Sequence, residues 1–279
     1  MGEAVNLSPS PRNAEGRRRA WRPGIAIWFS VAFHISALIA LLARPQWWAW
    51  VLTALVLNHV VLALIGSWPR SRLLGANMLR LPDAATSRNE IALTFDDGPD
   101  PDVTPKVLDI LDSHQAKASF FVIGDKAAAH PELVREIVRR GHSIENHSRK
   151  HSHVFGFFAW TGLSMDIGAA QEIIAGITGR PPTFFRSPMG IRNPLLDPVI
   201  ARLGLRYITW TRRGFDTVAS DPAVVLRRLT RGLSAGDILL LHDRRTRARR
   251  AIVLEVLPDL LDRIAAAGLK PVSLPLAMQ

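Results

Sequence analysis

Cysteine is absent from the 279 residues. That excludes a disulfide framework, a thiolate metal site and a cysteine nucleophile, so any bound metal must rely on histidine, aspartate or glutamate. The chain also lacks the composition of a disordered protein, since 48% of its residues are hydrophobic and 21% charged. Such a chain builds one sizeable α/β domain with an appendage, or two small domains. No internal repeat and no low-complexity tract interrupts it. Charge itself is missing from two stretches, the 19 residues 25–43 and the 24 residues 46–69.

At about 1.5 Å per residue, the first uncharged run extends ~28 Å as a helix, close to the hydrocarbon thickness of a bilayer. Only Arg44 and Pro45 separate the runs, with Gln46 opening the second, which predicts a tight transmembrane hairpin. No small-residue cleavage site lies between them, against a cleaved signal peptide. Trp47, Trp48 and Trp50 beside the turn and Trp68 at the far end suit the membrane interface. His34, Asn58 and His59 fall at membrane depth and are expected to hydrogen-bond within the hairpin.

The formal charge of +11 is uneven: the first 80 residues carry nine arginines against two glutamates, leaving only +4 for the rest. With no recognisable reader motif, nucleic acid is excluded as a partner, and membrane lipids with anionic headgroups are expected instead. Arg12, Arg17, Arg18, Arg19 and Arg22 precede the first run and Arg70, Arg72 and Arg80 follow the second, with Arg44 alone in the turn. The positive-inside rule then gives a multi-pass inner (plasma) membrane protein with both ends in the cytoplasm. The expected organisation is a basic tail (1–22), a hairpin (23–69), a linker (70–88) and a soluble domain (89–279).

Within that domain short β-rich runs alternate with amphipathic helical stretches. Strands are expected at 91–95, 118–123, 142–146, 184–186, 206–210, 238–242 and 271–274, and helices at 104–114, 131–140, 171–177, 194–203, 222–231 and 252–267. Glycine closes several helices and proline opens several, as helix punctuation requires. Repeated strand–helix units argue for a parallel sheet with helices outside, open or closed as a barrel. Ionisable residues recur at the C-terminal ends of successive strands: Asp96 and Asp97, His147, Arg186, Asp216, then His242 and Asp243. In a parallel barrel that rim carries the chemistry.

His147 and His151 stand at i and i+4, so a helical turn there would put both rings on one face. With a carboxylate from Asp96 or Asp97 they would form a two-histidine, one-carboxylate set with open positions, suited to Zn2+ and other divalent transition ions. The adjacent aspartates repel unless a cation or proton intervenes. Asp-Asp-Gly-Pro is equally good material for a solvated turn.

Taken together, these segments resemble the NodB-homology polysaccharide deacetylases, carbohydrate esterase family four, over about residues 90–275. The resemblance rests on five ordered motifs: Thr94-Phe95-Asp96-Asp97-Gly98; His147-Ser148-Arg149-Lys150-His151; Phe185-Arg186-Ser187-Pro188-Met189-Gly190; Asp216 downstream of Trp210; and Leu239-Leu240-Leu241-His242. It implies a distorted (β/α) barrel of about seven strands, preceded here by the two-helix hairpin. It further implies a catalytic base at Asp96, metal ligands at Asp97, His147 and His151, an Arg186 that orients the base, an Asp216 that holds this arginine, and a general acid at His242. Met189, Gly190 and Trp210 are expected to bind substrate, with a backbone N–H near Met189 facing the oxyanion. The implied reaction is metal-dependent removal of an N-acetyl or N-formyl group from an amino sugar, with Zn2+ as the expected ion and Co2+, Ni2+ or Mn2+ as substitutes. The chain departs from the pattern where family members often have an aromatic residue (Met189), a tryptophan (Thr217) and a second acid (the stretch Thr211, Arg212, Arg213), changes that remodel the substrate wall.

Two further segments lie on the active-site side. The aromatic run 155–160 reads either as outer packing or as an exposed apolar loop. Arg244, Arg245, Arg247, Arg249 and Arg250 read as a solvated loop, with phosphate pairing as the sharper alternative. His142, Glu145 and His153 are expected to be structural. Basic loop, aromatic loop and hairpin together suggest a lipid-linked glycan substrate. The competing readings are a periplasmic peptidoglycan deacetylase, which needs the opposite topology, and a non-catalytic glycan-binding protein.

Overall fold

The structure, a computed structural model, describes residues 20–219, 221–245 and 250–279. Of the basic residues named above, Arg12, Arg17, Arg18, Arg19, Arg247 and Arg249 lie outside them. The chain begins with helices α1 (Ile25–Ala43) and α2 (Trp48–Ser67), joined by one 3-10 turn (Pro45–Trp47). Both are long and apolar enough to cross a membrane. Their polar groups are satisfied within the pair: Asn58 Nδ2 donates to Ser30 Oγ at 2.9 Å, and His34 Nδ1 donates to the Ser30 carbonyl at 2.7 Å. The His34 and His59 rings meet edge to face, 5.3 Å apart.

After a short helix α3 (Asp83–Ser87), the strand–helix domain runs β1 (Glu90–Asp96), α4 (Thr104–Ser113), β2 (Ser119–Val122), α5 (Gly124–Ala129), α6 (Pro131–Arg139) and β3 (Ser143–Asn146). Then come α7 (Trp160–Thr178), β4 (Phe184–Phe185), α8 (Leu196–Arg202), β5 (Arg206–Tyr207), β6 (Arg212–Arg213) and α9 (Pro222–Thr230). The chain closes with β7 (Ile238–His242), α10 (Ile252–Ala266), β8 (Lys270–Val272) and α11 (Leu274–Ala277). Every strand pairing is parallel, in the order β5-β4-β3-β2-β1-β7-β6, with β8 paired to the start of β1. This curled seven-strand path is the distorted barrel expected from the sequence.

Strand alternation separates two cores. Ile91, Leu93, Phe95, Phe120, Leu239 and Leu241 face outward onto α4, α6 and α10, while Ala92, Phe121, Phe184, Ile208, Ile238 and Val272 fill the interior. Both faces of β1 are buried, as expected for the central strand of a helix-covered parallel sheet. Helix α7 begins eleven residues before the expected start at Gln171, and its buried residues Leu163, Ile167, Ala170 and Ile174 form a helical stripe.

The barrel is not closed by β5 pairing with β6; the segment before α3 fills that seam. Met78 bridges Ile208, Leu81 N donates to Gly236 O at 2.9 Å, and Thr211 Oγ1 donates to Leu79 O at 2.6 Å. The foot of the hairpin is also packed on the domain. Arg192 N donates to Gly66 O, where a Cβ on Gly66 would lie only 2.0 Å from the Arg192 carbonyl oxygen. Gly190, at φ +75°, has room for no side chain against Pro69 and Trp210.

His142 lies away from the rim, its Nδ1 accepting from Ala118 N at 3.2 Å and its ring edge-on to Phe120. Burial, reinforced by Lys117, lowers its pKa to about 4. An unfolded histidine titrates near 6.5, so the unfolded chain takes up this proton first and stability falls as pH drops from about 6.5 to 4. His142→Asn is expected to flatten that acid-side decline by on the order of 2–3 kcal/mol, checked by urea unfolding at stepped pH.

Candidate active site

Among the described residues, five non-glycine positions at the rim hold positive φ: Asp97 (72°), Ser148 (67°), His151 (51°), Met189 (57°) and Phe215 (60°). Such backbone costs of order 1–3 kcal/mol per residue and persists where surrounding structure enforces it. The segment 147–151 is therefore not the helical turn that its i, i+4 spacing suggested. Two left-handed residues fold it into a loop, which still brings the His147 and His151 rings to 5.0 Å between centroids.

Asp97 Oδ1 lies 3.3 Å from His147 Nε2 and 3.2 Å from His151 Nε2. It is buried and has no hydrogen-bond partner. One ligand atom from each of the three residues falls within 4.8 Å of the others. His147 Nδ1 donates to Arg186 O at 2.8 Å, which leaves its Nε2 lone pair turned toward the carboxylate. Burial, with His147 beside it, lowers the pKa of His151 to about 4 and keeps that ring in its neutral, ligating form. An unpartnered carboxylate oxygen facing two imidazole nitrogens is what a divalent ion satisfies, so the donor set fits one.

Asp96 is held from behind. Arg186, fully buried at 0% exposure, donates from Nη1 to Asp96 Oδ1 at 2.6 Å and to Thr94 Oγ1 at 3.0 Å, and from Nη2 to Thr209 O at 2.9 Å. Its guanidinium lies 4.1 Å over the Phe121 ring. The other carboxylate oxygen of Asp96 faces His147 Nε2 at 3.8 Å.

Asp216 does not hold Arg186. Both its oxygens are occupied by His242, Oδ1 at 2.9 Å from Nδ1 and Oδ2 accepting the backbone N–H at 2.8 Å. The reason is topological: the loop after β6 returns beside the end of β7, while Arg186 takes its support from Thr209. Burial pushes the His242 pKa down, but Asp216, helped by Asp97 and Asp96, outweighs it and the pKa is raised.

These groups surround a cavity of about 160 Å3, lined also by His153, Met189, Gly190, Trp210, Arg213, Thr217, Leu240 and Arg244. Arg244 is not part of a solvated loop, because its Nε donates to Asp97 Oδ2 at 2.7 Å. Glu145 lies in the strand below His147 and accepts from Thr183 N and Phe184 N. The aromatic run divides: Phe155 is buried against Phe185, while Phe157 is 89% exposed.

Sequence reasoning missed Thr94 and Thr209 as supports of Arg186, and Asn77. Asn77 Nδ2 donates to Pro69 O and Ser71 O, and its Oδ1 accepts from Thr209 Oγ1 at 3.0 Å. A hydrogen-bonded path thus runs from the foot of α2 through Asn77, Thr209 and Arg186 to Asp96. No local signal marks Asn77, since its partner is 132 residues away.

Buried Asp243 braces the turn after Asp97. It accepts from Thr104 Oγ1 at 2.6 Å, and a Cβ on Gly98 would meet its carboxylate at 2.3 Å. Gly98→Ala is expected to displace the Asp97 turn and cut metal occupancy at least tenfold, checked by elemental analysis of the purified protein.

The fold and site define a barrel hydrolase class, and the comparisons agree. The polysaccharide deacetylase family model matches residues 83–208. The peptidoglycan-N-acetylglucosamine deacetylase of Bacillus cereus is 32% identical over 160 residues, covering 55% of this chain and 72% of that protein. The chitooligosaccharide deacetylase of Azorhizobium caulinodans is 34% identical over 158 residues, 56% of this chain and 75% of that one. Among solved structures, the family 4 carbohydrate esterase of Streptomyces lividans, in complex with acetate, superposes with a TM-score of 0.61 at 31% identity, covering 66% of this chain and 91% of its own. The chain belongs to the polysaccharide deacetylase family, carbohydrate esterase family four.

Proposed function

We propose that this protein is a membrane-tethered, metal-dependent hydrolase that removes an N-acyl group, acetyl or formyl, from an amino sugar in a lipid-linked or cell-envelope glycan. The observation that carries the reading is the unpartnered Asp97 Oδ1 between His147 and His151, with Asp96 and His242 lining the same cavity. A divalent ion held by Asp97, His147 and His151, with Zn2+ best suited to two imidazoles and a carboxylate, supplies Lewis-acid polarisation of the amide and a lowered pKa for water. Asp96 takes the proton of the attacking water, its charge and angle set by Arg186. His242, kept protonated by Asp216, donates a proton to the departing amine. Met189, Gly190 and Trp210 form the sugar-facing wall, with a backbone N–H near Met189 toward the developing oxyanion.

Tethering and a lipid-linked substrate are supported by the seating of the hairpin. Pro69, just beyond α2, packs on Gly190 in the cavity wall, so the mouth lies beside the end of an apolar helix pair. The arginine distribution supports a cytoplasmic catalytic domain. The same chemistry on peptidoglycan would require the opposite topology, favoured by the peptidoglycan-directed relative from Bacillus cereus. Membrane glycolipids and cell-wall sugars compared by mass spectrometry with and without the gene are expected to differ by about 42 or 28 Da in a lipid-linked amino sugar, the acyl loss that metal-assisted amide hydrolysis produces. A difference confined to cell-wall sugars would select the peptidoglycan reading, and a reporter fused after Gln279 fixes the side.

A further inference from the structure

Arg213 is the unspent cation of the cavity. It leaves β6 beside Leu240 of β7, two residues before His242, and lines the cavity with both. Among the described residues its guanidinium makes no hydrogen bond or ion pair, and its Nε is buried without a partner. The acids nearby are turned to other groups: Asp96 is bonded by Arg186, Asp216 through both oxygens by His242, and Asp97 by Arg244 on Oδ2, with its Oδ1 facing the two imidazoles. Arg213 is nonetheless held in place, its guanidinium 5.2 Å from the Trp210 ring centroid and 4.7 Å from that of Phe215. Burial lowers its pKa, although a guanidinium stays charged at any physiological pH.

The charge balance decides which ligand suits it. Around the cavity the guanidinium groups of Arg186, Arg213 and Arg244 match the carboxylates of Asp96, Asp97 and Asp216, and a proton on His242 adds one positive charge. A divalent ion then leaves the site cationic, and a neutral sugar would leave that charge and the desolvated Arg213 uncompensated. A planar fork fixed between two rings is suited to a phosphate's paired oxygens.

We propose that Arg213 forms an anion subsite, and that the N-acylated sugar processed here carries a phosphate ester on or next to the reacting unit. The inference rests on the hydrolase reading above and deepens it. Because Pro69 abuts the cavity wall and exposed Arg70 and Arg72 follow it, the phosphate belongs to a lipid-linked sugar.

The test uses the full-length, zinc-loaded protein in lipid nanodiscs with three N-acetylglucosamine substrates: polyprenyl-phosphate-linked, free 1-phosphate, and a neutral oligomer. Acetate release is expected to favour the phosphorylated substrates at least tenfold in kcat/KM. Arg213→Gln is expected to shrink that ratio about tenfold, chiefly through KM, with Arg213→Lys between the two. An unchanged ratio in Arg213→Gln, or equal use of all three substrates by the wild type, overturns the subsite. Preference for the lipid-linked over the free phosphate supports the bilayer source, and the reverse overturns it. Binding separates this failure from failure of the hydrolase reading. In an Asp96→Asn background, calorimetric titration with the sugar 1-phosphate should weaken about tenfold on adding Arg213→Gln even if no substrate is turned over, and undiminished binding overturns the proposal.

Discussion

Asp96→Asn is expected to lower kcat by three to four orders of magnitude, roughly the full effect of losing a general base, while metal content stays at the wild-type level. The asparagine keeps the shape and can still accept from Arg186 Nη1, which reaches Asp96 Oδ1 at 2.6 Å. What disappears is an oxygen able to take a proton, on the side that faces His147 Nε2 at 3.8 Å. His147→Ala makes the contrast. It removes a donor to the Asp97 cluster and is expected to lose metal first and activity as a consequence, by at least tenfold to a hundredfold in affinity. Acetate release and elemental analysis on the same preparations separate the two, and wild-type turnover in both variants would remove the proposed site.

The second large effect is expected at Asp216. Asp216→Asn should cost roughly two to four orders of magnitude in kcat, because a carboxylate bonded to an imidazole fixes its tautomer and supports its charge. The accompanying pH shift is diagnostic. His242 must be protonated to act as an acid, so activity falls as pH rises through its pKa. That pKa is raised by Asp216 against the effect of burial, and removing the carboxylate's charge moves the alkaline decline to lower pH. An Asp216 that served Arg186 would leave that alkaline decline in place. A pH–kcat profile of the variant reads the difference directly.

The expectation that Asp216 holds Arg186 shows where the sequence stops being informative. Strands such as β1 and β7 announce themselves through uninterrupted apolar runs, and β7 was expected at the residues where it occurs, Ile238–His242. A two-residue strand such as β6 has no period to detect, so the loop that turns Asp216 toward His242 was invisible. The histidine spacing brought together two rings that do meet, but by another geometry: i, i+4 suggests a helix, whereas Ser148 and His151 in the left-handed region make a loop. Arg244 was lost in a run of arginines because composition does not distinguish a solvated guanidinium from one bonded to Asp97. Residue types near the rim were legible; which partner each would take depended on contacts between segments far apart in the chain.

The strip that plugs the barrel has a practical corollary. A fragment begun at residue 83, where the family match starts, would keep Asp97, His147 and His151. It would lack Met78, whose backbone bonds to Tyr207 and Thr209, and the amide of Asn77 that Thr209 leans on beneath Arg186. Such a truncated enzyme should bind its ion and still work poorly. Anyone trimming the apolar hairpin for crystallisation must cut upstream of the plug, because the segment that trails the hairpin is also a stave of the barrel.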